Sequence, residues 1–104
     1  MEHLQFSFEG GESRTSARAQ LVGVVSSGNL EVLIEPCALA GRCQIEVHTA
    51  ARGFGPVWQA VMNDFHARWR LADLRISIHD MGATPAVVSL RLDQAVESLL
   101  DAAR

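Results

Sequence analysis

The stretch Gly53-Phe54-Gly55-Pro56-Val57-Trp58-Gln59-Ala60-Val61-Met62-Asn63-Asp64-Phe65-His66-Ala67-Arg68-Trp69 decides the fold class, because the apolar period changes inside it. Upstream, Cys43, Ile45 and Val47 alternate with Gln44, Glu46 and His48, which is the two-residue period of a strand with one buried face. Gly53 and Gly55 interrupt that period, and Pro56 stands where a first helical residue belongs. Trp58, Val61, Met62, Phe65 and Trp69 then recur at offsets of 3, 4, 7 and 11, one apolar stripe along a helix. Downstream, Leu74, Ile76 and Ile78 return to period two.

Toward the N-terminus, Leu4, Phe6 and Phe8 alternate with polar neighbours and predict a half-buried strand. Gly10 to Ser16 reads as a loop, and Ala19 to Val25 as a second strand. Ser26-Ser27-Gly28-Asn29 is a turn, with Gly28 and Asn29 supplying the positive φ that tight hairpins use. Leu30 to Glu35 is the next strand, stopped by Pro36, and Ala38 to Arg42 is a short loop. Toward the C-terminus, Met81-Gly82-Ala83 ends a strand, and Thr84-Pro85 is an N-cap followed by a first-turn proline. Val88, Leu92, Ala95, Val96, Leu99 and Leu100 make a second helical stripe. Val88-Ser89-Leu90-Arg91-Leu92 also alternates as a strand would, but the Thr-Pro start and the continuation from Ala95 favour the helix. The expected order is β-β-β-β-α-β-α. It implies one α+β domain over residues 1–104, a mostly antiparallel sheet of about five strands with two helices packed on one face. The order of strands in that sheet is not readable from the pattern.

With 104 residues and 48% apolar composition the chain can bury a modest core. No apolar run reaches the roughly 20 residues that span a bilayer, and Met1 to Gln5 has neither a basic region nor a cleavage site, so an untargeted, cytoplasmic protein is expected. The net charge of -3 argues against nucleic acid, whose binders need a basic face. All nine basic residues are arginine, so no lysine amine is available for Schiff-base or general-base chemistry.

Four features are candidate sites. A serine in the turn Ser26-Ser27-Gly28-Asn29 could be presented for modification, although the same residues make an ordinary hairpin turn. His79-Asp80 could bind a metal or relay a proton, but His3, His48 and His66 lie on other elements and no paired-ligand motif accompanies it. Its structural reading is that Asp80 ends a strand and hydrogen-bonds the loop before Thr84. Cys37 and Cys43 fit neither a redox CxxC pair nor a zinc knuckle and have no adjacent histidine to form thiolate; reduced thiols are expected. Trp58 and Trp69 share the apolar face of one helix and read as core, with Trp58 the better candidate for a subunit contact. Gly53-Phe54-Gly55 lacks the further glycines and the strand-to-helix setting of a phosphate loop.

Two segments resemble a known family. Val24-Val25-Ser26-Ser27-Gly28-Asn29-Leu30-Glu31-Val32-Leu33-Ile34-Glu35-Pro36 is similar to the attachment region of malonate decarboxylase δ subunits, the acyl carrier proteins of that complex, where a Ser-Gly-Asp/Asn-Leu-Glu-Val run carries the cofactor-bearing serine. Ile78-His79-Asp80-Met81-Gly82-Ala83-Thr84-Pro85-Ala86-Val87-Val88 resembles the family's Ile-His-Asp-Phe-Gly-Ala-Thr-Pro motif. The resemblance implies that Ser27 holds a covalent 2'-(5''-phosphoribosyl)-3'-dephospho-CoA group through a phosphodiester, with Ser26 a second hydroxyl one residue away. It implies a non-catalytic carrier with no metal, whose thioesters are handled by the transferase and decarboxylase subunits. A prosthetic-group transferase and a malonyl transferase complete the implied partners. The fold expected here is not the four-helix bundle of fatty-acid carriers. A citrate lyase-type carrier and a non-covalent adaptor subunit remain alternatives.

Overall fold

In a computed structural model the described residues are 1–14 and 23–102, the side chains of residues 23–27 and of Ala102 excepted. Five strands and two helices follow in chain order: β1 (Glu2–Phe8), β2 (Gly23–Ser27), β3 (Leu30–Pro36), β4 (Cys43–Thr49), α1 (Gly55–Trp69), β5 (Leu74–Asp80) and α2 (Pro85–Ala102). The expected β-β-β-β-α-β-α order holds. The start of the expected strand at Ala19 lies outside the described residues.

The strands form one sheet in the order β1-β4-β5-β3-β2. Three of its four pairings are antiparallel: β1 with β4, β3 with β5, and β2 with β3. The fourth, β4 with β5, is parallel. Parallel neighbours cannot be joined by a tight turn, so the chain crosses from β4 to β5 through α1. The outer pairs β1–β4 and β2–β3 meet only through β5, which lies between β4 and β3.

Period two sorts the two faces. Leu30, Val32 and Ile34 on β3, Cys43, Ile45 and Val47 on β4, and Leu74, Ile76 and Ile78 on β5 are all buried in one cluster. Trp58, Met62 and Phe65 of α1 and Val88, Leu92, Ala95, Val96 and Leu99 of α2 close over the same face. Each fully buried large aliphatic or aromatic side chain contributes about 1.5–3 kcal/mol relative to exposure. The alternate residues, among them Gln5, Glu31, Glu46, Arg75 and His79, stay on the uncovered face.

Helix ends are set locally. Pro56 falls in the first turn of α1, where its missing N–H costs nothing. At the other end Arg70 turns left-handed (φ 47°) and its N–H bonds the His66 carbonyl at 2.8 Å. Thr84 Oγ1 accepts the Val87 N–H at 3.4 Å at the start of α2, as the Thr-Pro pattern predicts. At the end of the sheet away from the β2–β3 turn, Asp73 Oδ1 accepts the N–H groups of Leu39 and Gly41, both at 3.0 Å. These two bonds hold its carboxyl below the usual carboxylate range and pin the loop between β3 and β4.

Candidate prosthetic-group anchor site

The β2–β3 hairpin closes on the pair Ser27–Leu30, leaving Gly28 and Asn29 as a two-residue turn, both exposed. This shifts the sequence-based boundary. Ser26 and Ser27 are the last backbone positions of β2, paired with Glu31 and Leu30, rather than the first half of the turn. The Ser27 side chain lies outside the described residues. Neither Gly28 nor Asn29 is among the residues of positive φ, contrary to the hairpin expectation. A Cβ built at Gly28 meets nothing within 4 Å beyond its chain neighbours, so the turn lies open to solvent there. Pro36 is likewise taken into the end of β3, opposite Leu74, rather than stopping the strand before it.

The turn is seated against the second motif. β3 pairs with β5 so that Leu30 faces Asp80, and the Met81 N–H donates to the Asn29 carbonyl at 2.9 Å. Segments some fifty positions apart in the chain therefore form one corner of the sheet.

Asp80 organises that corner. It is buried, and so is Thr49, its direct neighbour in the parallel β4–β5 register. Asp80 Oδ2 accepts the Thr49 hydroxyl at 2.8 Å, while Oδ1 accepts the N–H groups of Gly82 and Ala83 at 3.2 and 2.8 Å. Oδ1 thus holds the loop before Thr84, as the structural reading of Asp80 expected, while Oδ2 is occupied by β4. Gly82 takes φ 109°, a conformation closed to most side chains. Thr49 was invisible in the sequence, because nothing local reveals a parallel register.

His79 is separated from Asp80 chemically. Consecutive strand residues point to opposite faces, so His79 stands exposed on the open face while Asp80 is buried under the helices. The adjacent pair is no proton relay. The period-two pattern already contained that answer.

Beside the corner lies an apolar cleft of about 290 Å³ between the starts of the two helices, lined by Phe54, Val57, Trp58, Gly82, Ala83 and Pro85 among others. Trp58 is only 5% exposed and forms the cleft floor, so the accessible apolar groups there are Phe54, Val57 and, next to Gly82, Met81. Trp69 is half-buried and donates its indole N–H to Asp93 Oδ1 at 2.8 Å, tying α1 to α2. Both cysteines are free thiols; burial pushes Cys43 up to about 11, which leaves it protonated at neutral pH.

The histidines lie on different elements, as the sequence indicated, yet sheet order brings some of them into line. Three of the four come together: His3, His48 and His79 occupy one transverse row on β1, β4 and β5. Among the described residues no helix is long and apolar enough to cross a membrane.

Residues 17–99 match the family described as malonate decarboxylase delta subunit (MdcD). A malonate decarboxylase acyl carrier protein of Stenotrophomonas maltophilia is 61% identical over 101 residues, covering 96% of this chain and 95% of the relative. One from Xanthomonas campestris pv. campestris is 60% identical over 100 residues, covering 95% of each. In a crystal structure of a Pseudomonas malonate decarboxylase hetero-tetramer in complex with malonate, a chain with 38% identity superposes with a TM-score of 0.79, over 95% of this chain and 99% of that one. Of the two carrier families that the attachment segment leaves open, the matches select one: this chain belongs to the malonate decarboxylase δ subunit family.

Proposed function

We propose that this chain is the acyl carrier subunit of a malonate decarboxylase and that Ser27 anchors its 2'-(5''-phosphoribosyl)-3'-dephospho-CoA group. The observation that carries the reading is the joint seating of the two motifs: Leu30 opposite Asp80, and Met81 bonded to Asn29. A carrier needs one reachable hydroxyl on a platform that does not give way, and surfaces for successive partners.

The residues present fit that demand. Gly28, the residue after the anchor position, is exposed, and a Cβ there would meet nothing within 4 Å beyond its chain neighbours. The Asn29 carbonyl accepts the Met81 N–H just after β5, and Asp80 fixes the following loop through two hydrogen bonds while a third ties it to Thr49. When bound, the group would supply a terminal thiol able to carry acyl units as thioesters. This chain contributes anchoring and presentation. Asp80 is consumed in structure, His79 faces the other side of the sheet, and the Cys43 thiol is buried and protonated. Acetyl–malonyl exchange and decarboxylation fall to transferase and decarboxylase partners, to which a tethered thioester is offered at high effective concentration.

Intact mass tests the assignment. Chain produced with its modifying enzymes should carry the added mass of the phosphoribosyl-dephospho-CoA group. Ser27→Ala should abolish that gain together with malonate turnover by the complex, and Ser26→Ala should retain both. A modified Ser27→Ala chain would move the anchor to Ser26 or elsewhere. An unmodified native chain would make it an adaptor.

A further inference from the structure

The open face of the sheet carries a row of side chains that the carrier role does not use. The backbone register runs His3–His48 between β1 and β4, His48–His79 between β4 and β5, and His79–Glu31 between β5 and β3. The imidazoles lie face to face, His3 on His48 with centroids 4.3 Å apart and His48 on His79 at 4.9 Å, with interplanar angles of 10° and 8°. Glu46, two residues before His48 and so on the same face, reaches into the row. Its Oε1 is 2.8 Å from His3 Nε2 and 3.9 Å from His48 Nε2.

We propose that His3, His48 and Glu46 bind one divalent transition-metal ion of the zinc class. Their ligating atoms all lie within 4.8 Å of one another. In a tetrahedral zinc site with bonds near 2.0–2.1 Å, neighbouring ligand atoms are about 3.4 Å apart. The His3–Glu46 separation is shorter than that and the His48–Glu46 separation a little longer, so modest side-chain rotations reach it. The side chains are 45%, 31% and 39% exposed, so they have solvent to turn into, at the cost of loosening the imidazole stack. Two imidazoles and one carboxylate favour zinc over calcium or magnesium, which prefer all-oxygen sets. Three protein donors leave the fourth position to water.

The fourth histidine is otherwise engaged, stacked on Phe8 and paired with the Glu9 carbonyl, and takes no part. The site is remote from the anchor, for three strand spacings, roughly 14 Å, separate β4 from β2. It also spans the junction of edge strand β1 with β4, so a bound ion staples that edge to the sheet. The inference stands independently of what Ser27 carries.

Titration of tag-free, chelator-treated chain with zinc alone tests it, read by calorimetry and by the histidine ring resonances. One ion should bind per chain, His3 and His48 signals should shift, and zinc should raise the melting temperature. His48→Ala should weaken binding by about 100-fold or more, beyond the 10- to 100-fold that loss of an outer partner costs, and should remove the melting shift. Glu46→Gln should weaken it too, and His66→Ala should not. Because none of these side chains is buried in the core, the variants should melt close to the parent without zinc, which separates loss of the site from loss of the fold. Absence of saturable binding, or undiminished affinity in a His3→Ala, His48→Ala double variant, would overturn the proposal.

Discussion

The two faces of the sheet are built from alternate residues of the same strands, yet they do different work. On β5, Leu74, Ile76, Ile78 and Asp80 look into the core, while Arg75 and His79 look out. The covered face holds the molecule together, and even its one carboxylate on this strand is spent on hydrogen bonds. The open face carries ionisable and ligating groups that packing does not require. The lesson is that burial, more than residue type, tells a structural aspartate from a functional one.

The largest test of that division is a cavity. Phe65 is fully buried where α1 meets the sheet, and Phe65→Ala should cost about 3–5 kcal/mol. Arg75→Ala on the open face should stay within about 0.5 kcal/mol. Urea midpoints of the two variants would show the contrast, and equal losses would break it. Next comes Asp80→Ala, which strands the N–H groups of Gly82 and Ala83 and leaves the buried Thr49 hydroxyl only its weaker Ala51 contacts. A loss of about 2–3 kcal/mol is expected, with faster amide exchange at Met81, since the corner that holds the Asn29 bond is loosened. His79→Ala, one residue away, should leave both unchanged.

The smallest effect is electrostatic and lies at the other end of the sheet. Hydrogen bonds from Leu39 and Gly41 depress the Asp73 carboxyl in the folded chain. Its stabilisation is therefore present above the ordinary carboxylate range and is lost as pH falls through the depressed folded value. Asp73→Asn should be the less stable protein at neutral pH. The gap between variant and parent should close on acidification, followed by denaturant midpoints across the acid range. Asparagine tolerates the left-handed backbone found at residue 73 (φ 56°), so the comparison isolates the charge.

Much of this was legible in the chain itself. Period two located β1, β3, β4 and β5, and the 3- and 4-residue spacing from Trp58 located α1, because those patterns reflect one buried face each. The Thr84-Pro85 start resolved α2 against its strand-like opening. Hairpin detail was less legible: Ser26 and Ser27 look like turn residues, but pairing with Glu31 and Leu30 draws them into β2. The Thr49–Asp80 bond, the Asp73 clamp and the histidine row were hidden for one shared reason. Each depends on which strands or loops are neighbours, and the β1-β4-β5-β3-β2 order is set by tertiary packing that no local pattern records.

The central place of β5 has a consequence in time. Without Leu74–Asp80 no strand joins the two outer pairs, β1 with β4 and β2 with β3, into one sheet. The residues that seat the β2–β3 turn, Asp80 at the end of β5 and Met81 just after it, come later in the chain than every other strand. On the proposed anchor role, an enzyme that reads the seated β2–β3 turn would meet it only once β5 has joined the sheet.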